Sequence, residues 1–490
     1  MSKIALATVL LLVYGVRRMI ANPIYGLYAF VFVISIQPQQ TYAWDPVISR
    51  LRLPFLMGLI TLIGYLRLRE RTRQQPVSNP HNVLMILFWV VIVASCIYNQ
   101  LNPFQSKMLN EFTRSMVLYF MLINLVDNEE KLVTTLWVWV GVYTFMSYLA
   151  MHKHSIGWYR NCKPYMWYNK NLWGLEITET LPLAAGLVWN VYEPLIKNRI
   201  AMRWLAVIPL SIVRIVWWHE PIVSVLILGI AAVLFWSPEE AKLKLCWRSV
   251  AGLATLGAIV NGMWCRSRSA YLATVLCVGL IAIYELRRVH RTVLIAIVIA
   301  AAASYVGITR ITNTYNSIIN APATDGSAQE RLHNWRLAVQ YMTESPVLGI
   351  GPEQFIARTW GGRAAHNGWA QVMAELGVTG LMIFAGMFLL TLFRCVRNLL
   401  MARRLPKLQV LGELSVYLGI AYVAWAFGVF FQGFIYYHHI YMLAGLTVAA
   451  ETIIRRHLQE QKAQEQIRTA ALPRVAPAPV LSGRRVTVTQ

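Results

Sequence analysis

The residues best suited to chemistry are polar and cationic groups that stand beside apolar segments. They lie in or next to two stretches, 266–268 and 308–369, and comprise Arg266, Arg268, Glu330, Arg331, Trp335, His366 and Asn367. An arginine guanidinium can bind two phosphate oxygens at once, and a histidine near neutral pH can accept a proton. Three arginines and one histidine at one mouth would suit an enzyme that acts on a lipid-linked pyrophosphate.

The composition indicates a helical bundle embedded in the membrane, and this bundle must position these residues. Of the 490 residues, 57% are hydrophobic and 14% are charged, whereas soluble domains carry about 25% charged residues. Apolar runs of roughly 15 to 22 residues suit helices that cross a hydrocarbon core about 30 Å thick. Backbone groups in lipid must be hydrogen-bonded internally. We therefore predict an all-α polytopic membrane protein with about 12–15 transmembrane helices.

Basic clusters between the apolar segments predict the orientation. The formal net charge is +23. If successive segments cross the membrane in alternating directions, the clusters lie on one side of it, among them 67–73, 287–291 and 394–407. Loops rich in Lys and Arg face the cytoplasm, so stretch 308–369 and the segment start at Arg266 should face the periplasm. Stretch 151–173, also outside, is basic and aromatic, which fits an interfacial aromatic belt or a patch that contacts a sugar or a phosphate.

The chain divides into four predicted regions. Residues 1–307 form transmembrane helices with short loops, and 308–369 form a periplasmic loop that carries active-site residues. Residues 370–453 form the C-terminal transmembrane helices, and 454–490 form a disordered cytoplasmic tail, because this tail is polar and rich in Pro, Ala and Arg. The apolar segments are 3–16, 22–37, 53–67, 83–99, 113–126, 131–150, 174–192, 204–218, 220–236, 249–264, 267–285, 291–307, 370–394, 411–432 and 434–453.

The long loop has signals of a folded element. Ser327 and Glu330 have the spacing of a capping box, which predicts a helix that runs to about Thr343. Gly349 and Gly351 then mark a tight turn, where glycine is the residue of least strain.

Apolar sequence continues from His366 to about Val396 and predicts one helix of roughly 46 Å at 1.5 Å per residue. Because this exceeds the membrane core, His366 and Asn367 should stand at its outer N-terminus. The free N–H groups there favour an anion and lower the pKa of an imidazole. A structural histidine at a helix cap is the alternative interpretation.

Other residues have weaker signals. Arg266 and Arg268 could snorkel to the interface, but two arginines on the outer side favour an anionic ligand. For Trp335, packing is favoured over stacking on a substrate. Asp325 and Glu330 are candidates for a second base. The turn 436–439 fits an aromatic belt or the lining of the same mouth. The six cysteines have no C-x-x-C spacing, so we expect no metal site.

The order of these motifs resembles the O-antigen ligase and Wzy-type polymerase superfamily. The matching positions are Ser267, Arg268 and Ala270, then Arg331, Trp335 and Ala338, then Pro346, Gly349 and Gly351, then His366 and Asn367, and finally Glu375, Gly377 and Gly380. The earlier stretch 122–183 looks like the branch of putative O-glycosylation ligases of exosortase systems. It departs from that branch where 158–167 is aromatic and basic instead of glycine-rich.

The resemblance implies a GT-C-like, metal-independent and inverting glycosyltransferase of the bacterial inner membrane that needs no cofactor. It would transfer a glycan from an undecaprenyl-pyrophosphate carrier to an acceptor glycolipid, protein or glycan in the periplasm. By the same resemblance, and in agreement with their chemistry, Arg266, Arg268 and Arg331 would hold the pyrophosphate and His366 would act as the base. Asn367 and Glu375 would orient His366 or shape the loop.

Three other functions remain open at this point. A polysaccharide polymerase would use the same donor and a different acceptor. A transporter or flippase of an anionic lipid would place charges at mid-membrane, and Glu176 and Glu179 within segment 174–192 are the main sign of this. A non-catalytic assembly subunit is the fourth reading.

Overall fold

The fold is given by a computed structural model. It describes residues 15–36, 52–72, 76–155, 169–190, 240–286, 326–359 and 364–471, with a few isolated residues between them. The predicted segments 3–16, 204–218 and 220–236 lie mostly or wholly outside the described residues, as does most of 291–307. Asp325 also lies outside them.

Within the described residues the chain is all-α, with one 3-10 turn and no β-strand. The helices are α1 (Pro23–Ile36), α2 (Leu53–Thr72), α3 (Pro80–Tyr98), α4 (Pro103–Leu125), α5 (Glu129–Ser155), α6 (Lys170–Trp189), α7 (Glu240–Trp264), α8 (Arg268–Glu285), α9 (Gly326–Glu344), α10 (Gln354–Arg358), α11 (Gly368–Ala402), α12 (Gln409–Val429) and α13 (His438–Ala471).

Five elements of the described part are long and apolar enough to cross a membrane. They are α3, α5, α8, α11 and the unit Pro406–Val429 that contains α12. Each coincides with a predicted apolar segment. This confirms an all-α polytopic membrane protein.

Helix α6 lies at the centre of the described bundle, and small residues allow its neighbours to approach closely. A side chain at Gly174 would meet the Ala270 Cβ of α8 at 2.3 Å, and one at Gly186 would meet the Tyr417 ring of α12 at 2.8 Å. Small residues at such contacts are typical of membrane helix packing. Because α6 touches α8 closely, the start of α8 is held in a defined place.

Several helix ends and the long loop meet at one end of the bundle, which we call the loop end. The Ser95 hydroxyl of α3 donates to the Leu348 carbonyl at 2.7 Å. The Lys170 ammonium at the start of α6 donates to the Arg266 carbonyl at 3.3 Å. The starts of α4, α6, α8, α11 and α13 therefore share the loop end.

The opposite end, which we call the basic end, carries arginines paired with buried or half-buried glutamates. Glu451 of α13 accepts from Arg394 and Arg397 of α11. Arg288 pairs with Glu413 at 2.6 Å. These arginines come from two of the clusters that predict the cytoplasmic side.

Helix α4 begins ten residues before its predicted segment, 113–126. Asn102 caps the helix in a capping box with Gln105, and Pro103 occupies the first turn, where proline is well tolerated. The early part carries charged residues, so hydropathy alone does not detect it. The added turns bring charged side chains to the loop end.

Helix α11 is not the continuous helix that the sequence predicts. Its backbone leaves the helical region at Gly377, with φ 67° and ψ −166°. There the Val378 N–H donates to the Pro346 carbonyl at 2.8 Å, and a side chain on Gly377 would meet the backbone of Val347 at 2.6 Å. The long loop therefore docks into the break, and Gly368–Leu376 forms a separate first portion.

The C-terminal boundary also differs from its prediction. Helix α13 continues to Ala471, so residues 454–471, predicted to be disordered, are helical. This stretch is rich in Glu, Gln, Lys, Arg and Ala, all of which have high helix propensity. Low hydropathy was mistaken there for disorder.

Candidate active site

His366 lies in the turn before α11 with a left-handed backbone, φ 50°. Its side chain is half-buried. Burial lowers the pKa of His366 below its usual value, the Arg331 guanidinium lowers it further, and the Glu330 carboxylate partly opposes both. The sequence predicted a lowered pKa from the helix terminus, whereas burial is the main cause. A neutral imidazole beside a cation can accept a proton.

Asn367 is the N-cap of α11. Its side-chain oxygen accepts from the backbone N–H groups of Trp369 and Ala370 at 3.0 and 3.1 Å. The residue is buried, with 7% of its surface exposed. Its structural task is thus to cap the helix, which fixes the backbone on which His366 stands.

Helix α9 carries Glu330, Arg331 and Trp335 and confirms the helix predicted in the loop. It packs on the first portion of α11 through a small cluster of its own, formed by Ala338, Phe355, Ala365 and Ala374. The Asn334 amide donates to the Ala364 carbonyl at 3.0 Å, two residues before His366. Arg331 and Trp335 are half-buried, and this packing keeps Arg331 near enough for its charge to lower the pKa of His366.

The other two arginines lie where α8 begins. Arg266 has a left-handed backbone, φ 58°, and an exposed side chain, whereas Arg268 is half-buried. The hydroxyls of Ser267 and Ser269 are 2.9 Å apart, and Ser269 also accepts from the Gln432 amide at 3.1 Å. The start of α8 is therefore bonded to the segment between α12 and α13.

That segment, 430–437, connects the two arginine-bearing regions through the start of α11. A side chain on Gly433 would meet Gln371 Oε1 at 2.2 Å, and one on Gly368 would meet Val429 Cγ1 at 2.3 Å. The structure thus groups His366 with Arg331 and Glu330, and holds Arg266 and Arg268 on a neighbouring helix start at the same end.

Glu375 lies in the interior and not beside His366. Its carboxylate accepts from the Tyr436 hydroxyl at 2.8 Å and from the Gln371 amide at 3.0 Å. Its backbone carbonyl accepts from the Gly351 N–H at 3.0 Å. Glu375 therefore ties segment 430–437 to the glycine turn of the loop. This corresponds to the second of its two predicted roles, shaping the loop.

A second polar cluster is buried between α5, α6 and α13. The His439 imidazole lies between Glu176, at 3.3 Å, and Glu179, and the Tyr143 hydroxyl is 3.1 Å from its Nε2. The sequence placed His439 in an outer turn and the glutamates in an apolar segment, but did not pair them. Two carboxylates three residues apart in an apolar run were the available signal.

The described residues contain no group of three or more His, Cys, Asp or Glu able to hold a metal ion. The loop end offers fixed positive charge from arginines. A half-buried imidazole stands beside one of them. This arrangement suits the binding of a phosphate-bearing group next to a proton acceptor.

Residues 253–385 match the family model described as O-antigen ligase. This stretch, which we call the ligase-family segment, is similar to that family over about a quarter of the chain. It begins within α7 and ends within α11, so it contains all three arginines, His366 and Glu375. The ligase-family segment therefore coincides with the region that the motif order singled out.

The chain is also similar to the exopolysaccharide production protein ExoQ of Rhizobium meliloti (strain 1021). The identity is 26% over 188 residues, which cover 34% of this chain and 42% of ExoQ. The match thus spans less than half of that relative's length.

Proposed function

We propose that the protein is a glycosyltransferase of the O-antigen ligase type in the bacterial inner membrane. It transfers a glycan from an undecaprenyl-pyrophosphate carrier to an acceptor hydroxyl on the periplasmic side. The observation that carries the proposal is the docking of α9, which bears Arg331, onto the turn that carries the half-buried His366, all within the ligase-family segment. The loop end, which lies away from the arginine clusters of the basic end, is taken as the periplasmic face.

In the proposed reaction, His366 accepts the proton of the acceptor hydroxyl as its oxygen attacks the anomeric carbon. The bond from that carbon to the pyrophosphate oxygen breaks, and undecaprenyl pyrophosphate leaves with the bonding electrons. A single displacement inverts the anomeric configuration, by the geometry that governs inverting glycosidases. Pyrophosphate leaves as an anion, so the step needs positive charge more than it needs a proton donor.

Arg266, Arg268 and Arg331 supply this charge. Pre-organised cations stabilise charge that grows in the transition state and need no reorganisation when it appears. The arginine fork also fixes the orientation of the phosphates. Because Arg331 lies close to His366, one residue both binds the leaving group and keeps the base neutral.

A polysaccharide polymerase is the second candidate, favoured by the similarity to an exopolysaccharide production protein. Donor chemistry and base would be the same. The acceptor would be a second carrier-linked glycan, so the product would be a ladder of increasing length. A ligase would give a single transfer to a different acceptor.

The test is expression of the wild type, His366→Ala and Arg268→Ala in a bacterial strain that lacks its own glycan ligase. The wild type should consume the carrier-linked glycan, whereas both variants should insert normally and leave it unligated. A ladder of products would identify the polymerase. Transfer by both variants at the wild-type level would contradict the proposed site.

A further inference from the structure

Helix α4 carries a stripe of charged residues on one face in its outer half. Lys107, Glu111 and Arg114 are spaced by four and three residues, which places them above one another. Glu111 and Arg114 form an ion pair at 3.1 Å, with 38% and 30% of their side chains exposed. Arg114 lies about 16 Å along the helix from its start at Pro103. Among the described helices, α4 is not one of those apolar enough to cross a membrane, so the stripe belongs to the polar half of α4 that reaches the loop end.

The glycine turn of the long loop packs against the start of this helix. A side chain on Gly351 would meet the Gln105 amide nitrogen at 2.3 Å. Glu353 follows two residues later with a left-handed backbone, φ 58°. Burial raises the pKa of Glu353, while the ammonium of Lys107 opposes this. The turn thus brings a second carboxylate to the stripe.

Segment 430–437 approaches the same face of the bundle. The Ser115 hydroxyl of α4 is 3.4 Å from the Tyr436 carbonyl. The next residue, Tyr437, is half-buried and its ring packs edge-on against Phe434, with centroids 5.2 Å apart. Burial raises the pKa of Tyr437, and nearby Glu111, Glu176 and Glu353 raise it further. The contact between Ser115 and Tyr436 therefore brings the Tyr437 ring close to the charged stripe of α4.

We propose that this surface, formed by Lys107, Glu111, Arg114, Glu353 and Tyr437, binds the carbohydrate part of a substrate. Carboxylates accept hydrogen bonds from hydroxyl groups, and an aromatic ring offers an apolar face to the C–H side of a sugar ring. The surface carries two cations, Lys107 and Arg114, and two carboxylates, Glu111 and Glu353, so it is near electrical balance. That favours a polyhydroxylated ligand over an anion.

The inference rests on the proposed glycosyl transfer and names the part of the substrate held away from the bond that breaks. Glu375 connects the two places. Its carboxylate accepts from Tyr436, and it lies nine residues after His366 in the first portion of α11. A glycan of several sugars could therefore reach both the candidate active site and this surface.

The test is a binding titration of the full chain in nanodiscs. The probe is the free glycan released by mild acid from the carrier-lipid pool of the source bacterium. Saturable binding is expected for the wild type, and about tenfold weaker binding for Glu111→Gln and Tyr437→Ala, from loss of a charge-assisted hydrogen bond or of the stacking ring. Tyr437→Phe keeps the ring and should bind more tightly than Tyr437→Ala. Glu344→Gln, an exposed carboxylate on α9, is the matched control and should bind as the wild type does.

An independent variant avoids any effect of packing. Lys107 is exposed, so the Lys107→Cys variant should fold. It would be made in a chain that also carries Cys162→Ser and Cys246→Ser. The glycan should slow the reaction of the new cysteine with a maleimide. Inorganic pyrophosphate at equal concentration should not slow it. Absence of saturable binding, equal binding by all variants, or protection by pyrophosphate would each overturn the inference.

The proposed function is tested separately by His366→Ala. This variant should bind the free glycan like the wild type and transfer none. If it transfers glycan normally, the catalytic proposal fails whatever the binding data show. If it is inactive and no variant changes binding, only the carbohydrate surface is refuted.

Discussion

Burial and the Arg331 cation both lower the pKa of the His366 imidazole. Both disfavour the imidazolium, so the ring stays neutral to lower pH than an ordinary histidine, whose pKa is about 6.5. The same pair of residues therefore sets the acid limit of the proposed reaction.

Arg331→Gln removes the cation and should raise the pKa of His366. More of the base is then protonated at a given acidic pH, so the acid limb of kcat/KM should move to higher pH. The measurement is a pH–rate profile of both proteins. Arg336→Gln, an exposed arginine on the same helix, should leave the limb in place. An unshifted limb in Arg331→Gln would show that the titrating group is not beside Arg331.

Arg268 tests whether geometry matters as well as charge. Arg268→Lys keeps the positive charge but loses the planar guanidinium that can bind two oxygens at once. Its kcat/KM should therefore lie between that of the wild type and that of Arg268→Ala. Loss of one charge-assisted hydrogen bond, about 1.5–3 kcal/mol, corresponds to roughly 10–100-fold. Arg248→Ala on α7 provides the control. If Arg268→Ala matches the wild type, this residue does not hold the pyrophosphate.

At the scale of elements, the long loop is held in place by glycines at positions with no room for a side chain. Gly377 interrupts α11 with φ 67°. Gly349 has φ 68°, and a Cβ atom built on it would lie 2.2 Å from the backbone of Glu375. Both positions combine a left-handed backbone with a close approach. The docking of the loop onto α11 depends on them.

Gly377→Ala should therefore weaken loop docking and destabilise the protein by about 1–3 kcal/mol. Gly386→Ala in the same helix is the matched control, since the nearest atom to its Cβ is 3.8 Å away. Thermal unfolding in detergent and limited proteolysis of the loop measure the effect. Equal melting temperatures for the two variants would contradict this account.

The elements show what hydropathy and capping signals can and cannot predict. The helix of the loop and the glycine turn were predictable from local signals, although the helix begins at Gly326 and therefore includes Ser327, its predicted cap. The break at Gly377 was not, because it exists only where the distant Pro346 carbonyl meets α11. The early turns of α4 were missed because Lys107, Glu111 and Arg114 lower the hydropathy of this stretch below that of a membrane segment.

The same reasoning applies to the candidate site. Residue types pointed to the arginines and His366 as candidates, because few cations stand beside apolar segments away from the basic clusters, and their roles stay predictions. The true neighbours of Glu375 and His439 were not predictable, since Tyr436 and Glu179 come from elements far from them in sequence. Side-chain contacts between different elements of a bundle have no characteristic residue spacing in the sequence.

At the scale of the molecule, the two ends of the bundle predict an orientation. Cysteine substitution at Arg336, at the loop end, should be labelled by an impermeant maleimide on spheroplasts. Substitution at Arg456, at the basic end, should react only after the membrane is permeabilised. Cys96, Cys265, Cys277 and Cys395 are buried, and Cys162 and Cys246 would be replaced by serine beforehand. The reverse pattern would place the candidate site in the cytoplasm.

The most direct test of the central claim is transfer from a carrier-linked glycan by purified protein in liposomes. The wild type, His366→Ala and His333→Ala would be compared, because His333 is an exposed histidine on α9. The account predicts that the wild type and His333→Ala release undecaprenyl pyrophosphate and form product, while His366→Ala leaves the donor intact. Product formation by His366→Ala at the wild-type rate would contradict it.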